Sequence, residues 1–118
     1  MKRGEIWWTD MPEPVHSGPG YRRPVLVVQD DEFNESLIKT VIVASITTNL
    51  RLATAKGNVL ISSGQSGLDK DSVVNVSQLL SLDKTLLFEM VGELSANKMG
   101  QVNSGLYKVL SLTPPKPE

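Results

Sequence analysis

Residues Val25-Leu26-Val27-Val28 form an apolar run with no polar break, opened by Pro24 and closed by Gln29. A strand with one wet face alternates apolar and polar residues, so a short continuous run predicts a central strand covered on both faces. Pro24 fits such a strand only at its first position, where no ladder hydrogen bond is lost. A central strand needs neighbours, and the chain supplies several short β-branched or aromatic segments. Glu5 to Asp10, Thr40 to Ile46, Gly57 to Ile61, Ser72 to Val76 and Leu87 to Leu94 all read as strands, with Gly92 marking a bend or bulge in the last. Ser63-Gly64-Gln65-Ser66-Gly67 reads as the turn before Ser72. Only the C-terminal part carries a helical period. Ser95 is a plausible N-cap, and Met99, Val102, Leu106, Val109 and Leu110 then form one apolar stripe. Gly100 and Gly105 each weaken that helix by up to about 1 kcal/mol relative to alanine, so packing must hold it. Short strands closed by one helix predict a mainly β fold, a small curled barrel with a C-terminal helix.

At 118 residues the chain is expected to form a single domain over residues 1–112, followed by a disordered Pro-rich tail at 113–118. No apolar run approaches the ~18 residues that cross a bilayer, and Gly4-Glu5 interrupts any signal-like start, so a cytoplasmic protein without membrane contact is expected. The absence of cysteine excludes disulfide scaffolds, thiolate catalysis and cysteine zinc sites, and a single histidine excludes His–His metal motifs. A net charge of -1 does not suit a general nucleic-acid coat, which is usually basic. The distribution is more telling. Between Pro14 and Gln29 there is no acid, only Arg22 and Arg23. Between Ser36 and Leu68 there is none either, with Lys39, Arg51 and Lys56. Brought together, these segments would form a local positive face on a near-neutral body.

Arg22 and Arg23 stand at the mouth of the central strand. They are either solvated charges or a phosphate grip, and Pro24 favours the latter by biasing Arg23 toward an extended backbone, where a planar guanidinium suits phosphate oxygens. Thr47 and Thr48 end the strand from Thr40 and serve either as phosphate donors or as satisfied surface hydroxyls. The loop Met11 to Gly20 holds three prolines and two glycines and is long enough to suggest function. It contains His16, a candidate general acid or base or else a bystander. Asp30-Asp31-Glu32 with Glu35 reads as a solvated turn whose acids favour the first turn of a short helix. Asp69 and Asp71 lack the further ligands of a calcium loop, so no metal or cofactor is expected. Trp7 and Trp8 are adjacent on a strand and point to opposite faces, one into the core and the other toward an interface, a stacked base or the closing helix.

Taken in order, Lys2-Arg3-Gly4-Glu5-Ile6-Trp7, Arg23-Pro24-Val25-Leu26-Val27-Val28, Val41 to Thr47, Gly67 to Val76 with Gln78, and Leu82-Asp83-Lys84 resemble the MazF/PemK family of toxin–antitoxin ribonucleases. The resemblance covers Met1 to Leu112. It implies an SH3-like barrel that forms a homodimer, and metal-independent cleavage of single-stranded RNA by its own 2′-hydroxyl, leaving a 2′,3′-cyclic phosphate and a 5′-hydroxyl. It implies a cognate antitoxin whose acidic segment fills the RNA groove. Catalytic roles carry over to Arg23 and Thr47; Arg22, Lys56 and Gln78 are assigned flanking RNA contacts. The chain departs from the family where many relatives carry an acid: its loop reads Val15-His16-Ser17-Gly18-Pro19, which makes His16 the candidate for the missing acid–base group. Related barrels that bind DNA gyrase without catalysis are the alternative, and a silent RNA-binding barrel is a third.

Overall fold

The computed structural model describes residues 1–11 and 22–112. Within them, six antiparallel strands make one sheet: β1 Glu5–Asp10, β2 Arg22–Val27, β3 Thr40–Thr47, β4 Val59–Ile61, β5 Ser72–Asp83 and β6 Leu87–Glu93. Their spatial order is β4-β5-β3-β2-β1-β6, and the sheet curls into a half-barrel. Two helical turns, α1 (Asp31–Asn34) and α2 (Ser63–Ser66), sit in the connections, and α3 (Ala96–Val109) is the last element among the described residues.

β2 lies between β1 and β3 and is covered on both sides, as its unbroken apolar run requires. Leu26 and Val28 enter one core with Ile6, Ile46, Val74 and Val102, the last delivered by α3. Val25 and Val27 enter a second with Val41, Val43, Leu82 and Leu87. The adjacent tryptophans divide in the same way. Trp8 packs on the first core and Trp7 on the second, where its indole Nε1 donates to Glu5 Oε1 at 3.0 Å.

Several elements differ from the sequence reading. β2 begins two residues before Pro24, so the proline lies inside the strand. Its pairing with β3 starts only at Val25, so Pro24 stands just outside that ladder, where a missing amide costs nothing. β4 is shorter than expected because Asn58 is used otherwise: its Oδ1 accepts from Val76 N and its Nδ2 donates to Leu52 O, both at 3.0 Å. β5 runs seven residues past the expected end at Val76. Against β3, Ser45 pairs with Asn75 while Ala44 pairs with Leu79, so Val76-Ser77-Gln78 form a three-residue bulge. In β6 the register slips at Val91, beside Gly92, as the bend reading requires.

The expected turn after Ile61 is a capped helical turn. Ser62 Oγ accepts from Gln65 N while the Gln65 side chain accepts from Ser62 N, and Gly67 ends α2 with a φ of 82°. α1 fits the reading of the acidic run, with Asp30 as its N-cap. α3 begins at Ser95, whose Oγ accepts from Lys98 N. Its stripe is buried only in part: Val102 is enclosed, Met99 and Leu106 pack at the core's margin, and Val109 and Leu110 are exposed. Gly105 is buried against the backbone of Gly57 and is therefore a contact point as well as a weak helix former. Lys98 Nζ donates to Leu60 O at 3.0 Å, occupying a carbonyl of the edge strand β4.

Candidate active site

Alternating strand direction brings the start of β2, the end of β3 and the start of β5 to the same end of the sheet. The β2–β3 ladder closes at Val25 and Ser45, and two residues further along that register stand Arg23 and Thr47. On the other side of β3, Thr47 pairs with Val73, so Ser72 lies just beyond it. A cavity of about 310 Å³ opens here.

One wall is the mouth of β2, with Arg22, Arg23 and Pro24. Both arginines are exposed. The Arg23 backbone is fixed by its pairing with Thr9, a fully buried residue whose Oγ1 donates to Arg23 O at 3.4 Å. Arg22 stacks its guanidinium over the Phe88 ring of β6, 5.0 Å from the centroid. The facing wall is the end of β3, with Thr47 and Thr48. Thr47 Oγ1 accepts from Asn49 N at 3.1 Å, which orients the hydroxyl and leaves its proton to donate elsewhere. Trp8 and Ile46 contribute apolar surface, and Leu68-Asp69-Lys70 with Ser72 close the third side.

The arrangement joins two guanidinium groups, an ammonium and three hydroxyls around one small cavity, with Asp69 as the acid among its lining residues. Guanidinium and hydroxyl donors fixed on strand ends can stabilise charge developing on phosphate oxygens.

Thus Arg22, Arg23 and Thr47 are brought together as expected. Lys56 follows the 3-10 turn Leu50–Thr54, and Gln78 lies in the β5 bulge; both are exposed, and neither lines the cavity. His16 lies outside the described residues. Trp8, Lys70 and Ser72 were not assigned to the site from sequence. Trp8 was left open between core and stacking roles, and Lys70 and Ser72 stand in the Gly67–Val76 segment that carried part of the resemblance without a role attached. Of the acidic run, Asp31 accepts from Arg3 N at 2.7 Å and from Asn34 Nδ2 at 3.0 Å, and these two bonds lower its pKa below the usual carboxylate value. It braces α1 against the N-terminus. Among the described residues, no three His, Asp or Glu side chains group as a metal site would require.

Residues 2–110 match the family model described as the PemK-like, MazF-like toxin of type II toxin–antitoxin systems. The chain is 46% identical over 112 residues to endoribonuclease MazF2 of Mycobacterium bovis, covering 95% of this chain and 98% of the relative. It is 38% identical over 106 residues to endoribonuclease MazF of Staphylococcus saprophyticus, covering 90% and 88%. In fold it resembles a mycobacterial endoribonuclease solved in complex with its cognate antitoxin, with a TM-score of 0.78 at 23% identity and coverage of 98% and 99%. The family model matched over residues 2–110, with relatives 38–46% identical along nearly the whole chain, places this chain in the PemK-like, MazF-like family of type II toxins.

Proposed function

We propose that Arg23 and Thr47 act on the scissile phosphate of single-stranded RNA, in a cleavage that requires no metal ion. The chain is a MazF-type endoribonuclease toxin of a toxin–antitoxin system. Relatives named as endoribonucleases at 34–46% identity favour RNA cleavage over the gyrase-binding alternative. The observation that carries the site assignment is the meeting of Arg23 and Thr47, two residues beyond the last β2–β3 pair, across one cavity.

In the reaction, the 2′-oxygen attacks phosphorus in line. The new 2′-O–P bond forms as the P–O5′ bond breaks, giving a 2′,3′-cyclic phosphate and a 5′-hydroxyl. The 2′-hydroxyl proton is lost and one is delivered to the departing 5′-oxygen. Charge builds on the phosphate oxygens, where Arg23 supplies a permanent cation and Thr47 a hydroxyl donor. Because arginine stays protonated at neutral pH, its role is charge stabilisation, with donation toward the leaving oxygen, and not proton abstraction. His16 is the candidate for the acid–base group that moves these protons. The partners of this reading are single-stranded RNA, a second copy of the chain, and an antitoxin whose acidic segment fills the same groove; the site of action is the cytoplasm.

The test is cleavage-end mapping on a mixed RNA pool in excess EDTA. Cyclic phosphate ends at a common sequence are expected, and Arg23→Ala should lose at least about 100-fold in rate with an unchanged melting temperature. Cleavage that appears only on addition of Mg²⁺ would overturn the mechanism.

A further inference from the structure

The Leu68-Asp69-Lys70 segment, the third side of the cavity, has no role in the chemistry above. It is held unusually firmly for a connection. Gly67 enters it in the left-handed region, and a side chain there would meet Val91 O of β6 at 2.6 Å. A side chain on Gly92 would in turn run into Ser66 O, so α2 and β6 touch backbone to backbone through two glycines. The segment is then pinned on both sides of Lys70. Leu68 N donates to Ser66 Oγ at 3.0 Å, Ser72 Oγ donates to Lys70 O at 3.0 Å, and Ser63 N donates to Asp71 Oδ1 at 2.9 Å. Ser66 and Ser72 are both buried. An exposed lysine whose backbone is braced in this way lines the cavity from the α2–β5 connection, a different element from the strand that carries Arg23.

We propose that Lys70 binds a phosphate of the RNA backbone next to the scissile one, and so sets which linkage is presented to Arg23 and Thr47. This rests on the ribonuclease reading above. Successive phosphates of a single strand lie one nucleotide apart, so a strand with one phosphate between Arg23 and Thr47 carries another close by, and Lys70 is the remaining cation among the residues that line the cavity. An ammonium suits that task as a point charge without a demand on phosphate orientation. Asp69 beside it keeps the local field from becoming a general polyanion trap. Lys70 is thus a substrate-binding residue that acts on affinity and register, while Arg23 acts on the transition state.

The experiment uses the full chain and a short single-stranded RNA bearing the mapped cut site, with Lys70→Gln, Lys70→Arg and, as a charge-matched control, Lys108→Gln on the exposed face of α3. Lys70→Gln should raise KM about 5- to 10-fold, with the loss falling on KM and not on kcat. It should also reduce the slope of log affinity against log salt by about 0.7, one phosphate's share for a single strand. Lys70→Arg should restore most of the affinity, and Lys108→Gln should change neither quantity. A neutral methylphosphonate placed in turn at each linkage flanking the cut should weaken the wild type about as much as Lys70→Gln at one position, and should add nothing to Lys70→Gln there. Additive losses at every linkage, or an unchanged salt slope, would overturn the assignment. So would a loss by Lys70→Gln confined to binding of an acidic antitoxin peptide. Absence of cleavage by the wild type would instead overturn the ribonuclease reading itself.

Discussion

Two glycines five positions apart on α3 should respond to the same substitution with opposite signs. A Cβ on Gly100 meets nothing within 4 Å. Gly100→Ala therefore adds only helix propensity, about 1 kcal/mol of stabilisation. A Cβ on Gly105 would collide with the carbonyl oxygen of Gly57 and lie 3.0 Å from its carbonyl carbon and 3.2 Å from its Cα. All three atoms are backbone, and Gly57 is itself held at a φ of 88°, so neither side yields by a rotamer change. Relief requires α3 to lift by about 1 Å, and a gap of that size forfeits a quarter to a half of each dispersion contact it opens. The contacts at risk are those of Val102, which is fully buried, and of Met99 and Leu106 at the core margin. Overpacking of this kind costs about 3 kcal/mol at the upper end of its range, offset by about 1 kcal/mol of propensity, for a net loss of about 2 kcal/mol. At about 4 °C per kcal/mol for a domain of this size, Gly105→Ala should melt about 8 °C lower and Gly100→Ala about 4 °C higher than the wild type. Thermal unfolding followed by circular dichroism at one fixed protein concentration measures both, with urea titration as a check. Because each variant gains the same propensity, their difference isolates the contact. Should Gly105→Ala melt higher alongside Gly100→Ala, α3 does not rest on Gly57 as described.

Three further outcomes are expected. Thr47→Val keeps the side-chain shape and removes the donor, so kcat should fall about 100-fold while Thr47→Ser retains most activity; wild-type turnover by Thr47→Val in a single-turnover assay would remove Thr47 from the mechanism. Asn58→Ala leaves the Val76 amide and the Leu52 carbonyl without their partner, so chemical denaturation should show a loss of about 1–3 kcal/mol, and no loss would mean that water replaces the clip. Asp31 has a pKa lowered on folding by the Arg3 amide and then by Asn34, so its contribution is present above the unfolded value and is lost as pH falls through the folded one. The urea midpoint of Asp31→Asn should therefore lie below that of the wild type near neutrality, and the gap should narrow as pH falls below the ordinary aspartate range; a gap that stays constant with pH would exclude that linkage.

Much of the sheet was legible because strand faces follow a period of two and burial enforces it. Glu5 to Asp10 and the doubly covered Val25–Val28 run are the clearest cases. Legibility failed where a polar break interrupted the period. Ser77 and Gln78 ended the reading of β5 at Val76, although the strand resumes through Leu80 and Leu82. The helical turn at Ser63 was missed although its capping pair, Ser62 and Gln65, is spelled out in the sequence, because Gly64 and Gly67 read more strongly as a turn. In the site, Arg22, Arg23 and Thr47 could be found because they lie at the ends of readable strands. Lys70 and Ser72 could not, because their nearness to Thr47 depends on β5 pairing with β3 across a long separation in the chain. Gly105 read only as a weak point in a helix. A residue's own propensity carries no trace of the backbone that packs against it.

The bulge in β5 has a consequence for which changes in length this chain can accept. Before it, Val74 and Val76 face the first core; after it, Leu79 faces that core while Leu80 and Leu82 face the second. An uninterrupted strand would have sent Leu80 and Leu82 the same way as Val74. The three residues between Asn75 and Leu79 therefore act as a parity setting, odd where a regular ladder needs none. Losing one of Ser77 or Gln78 would exchange the faces of everything downstream in the strand, whereas losing both would leave them in phase. Sequences that share this fold should accordingly vary in length at this point by pairs of residues and not singly.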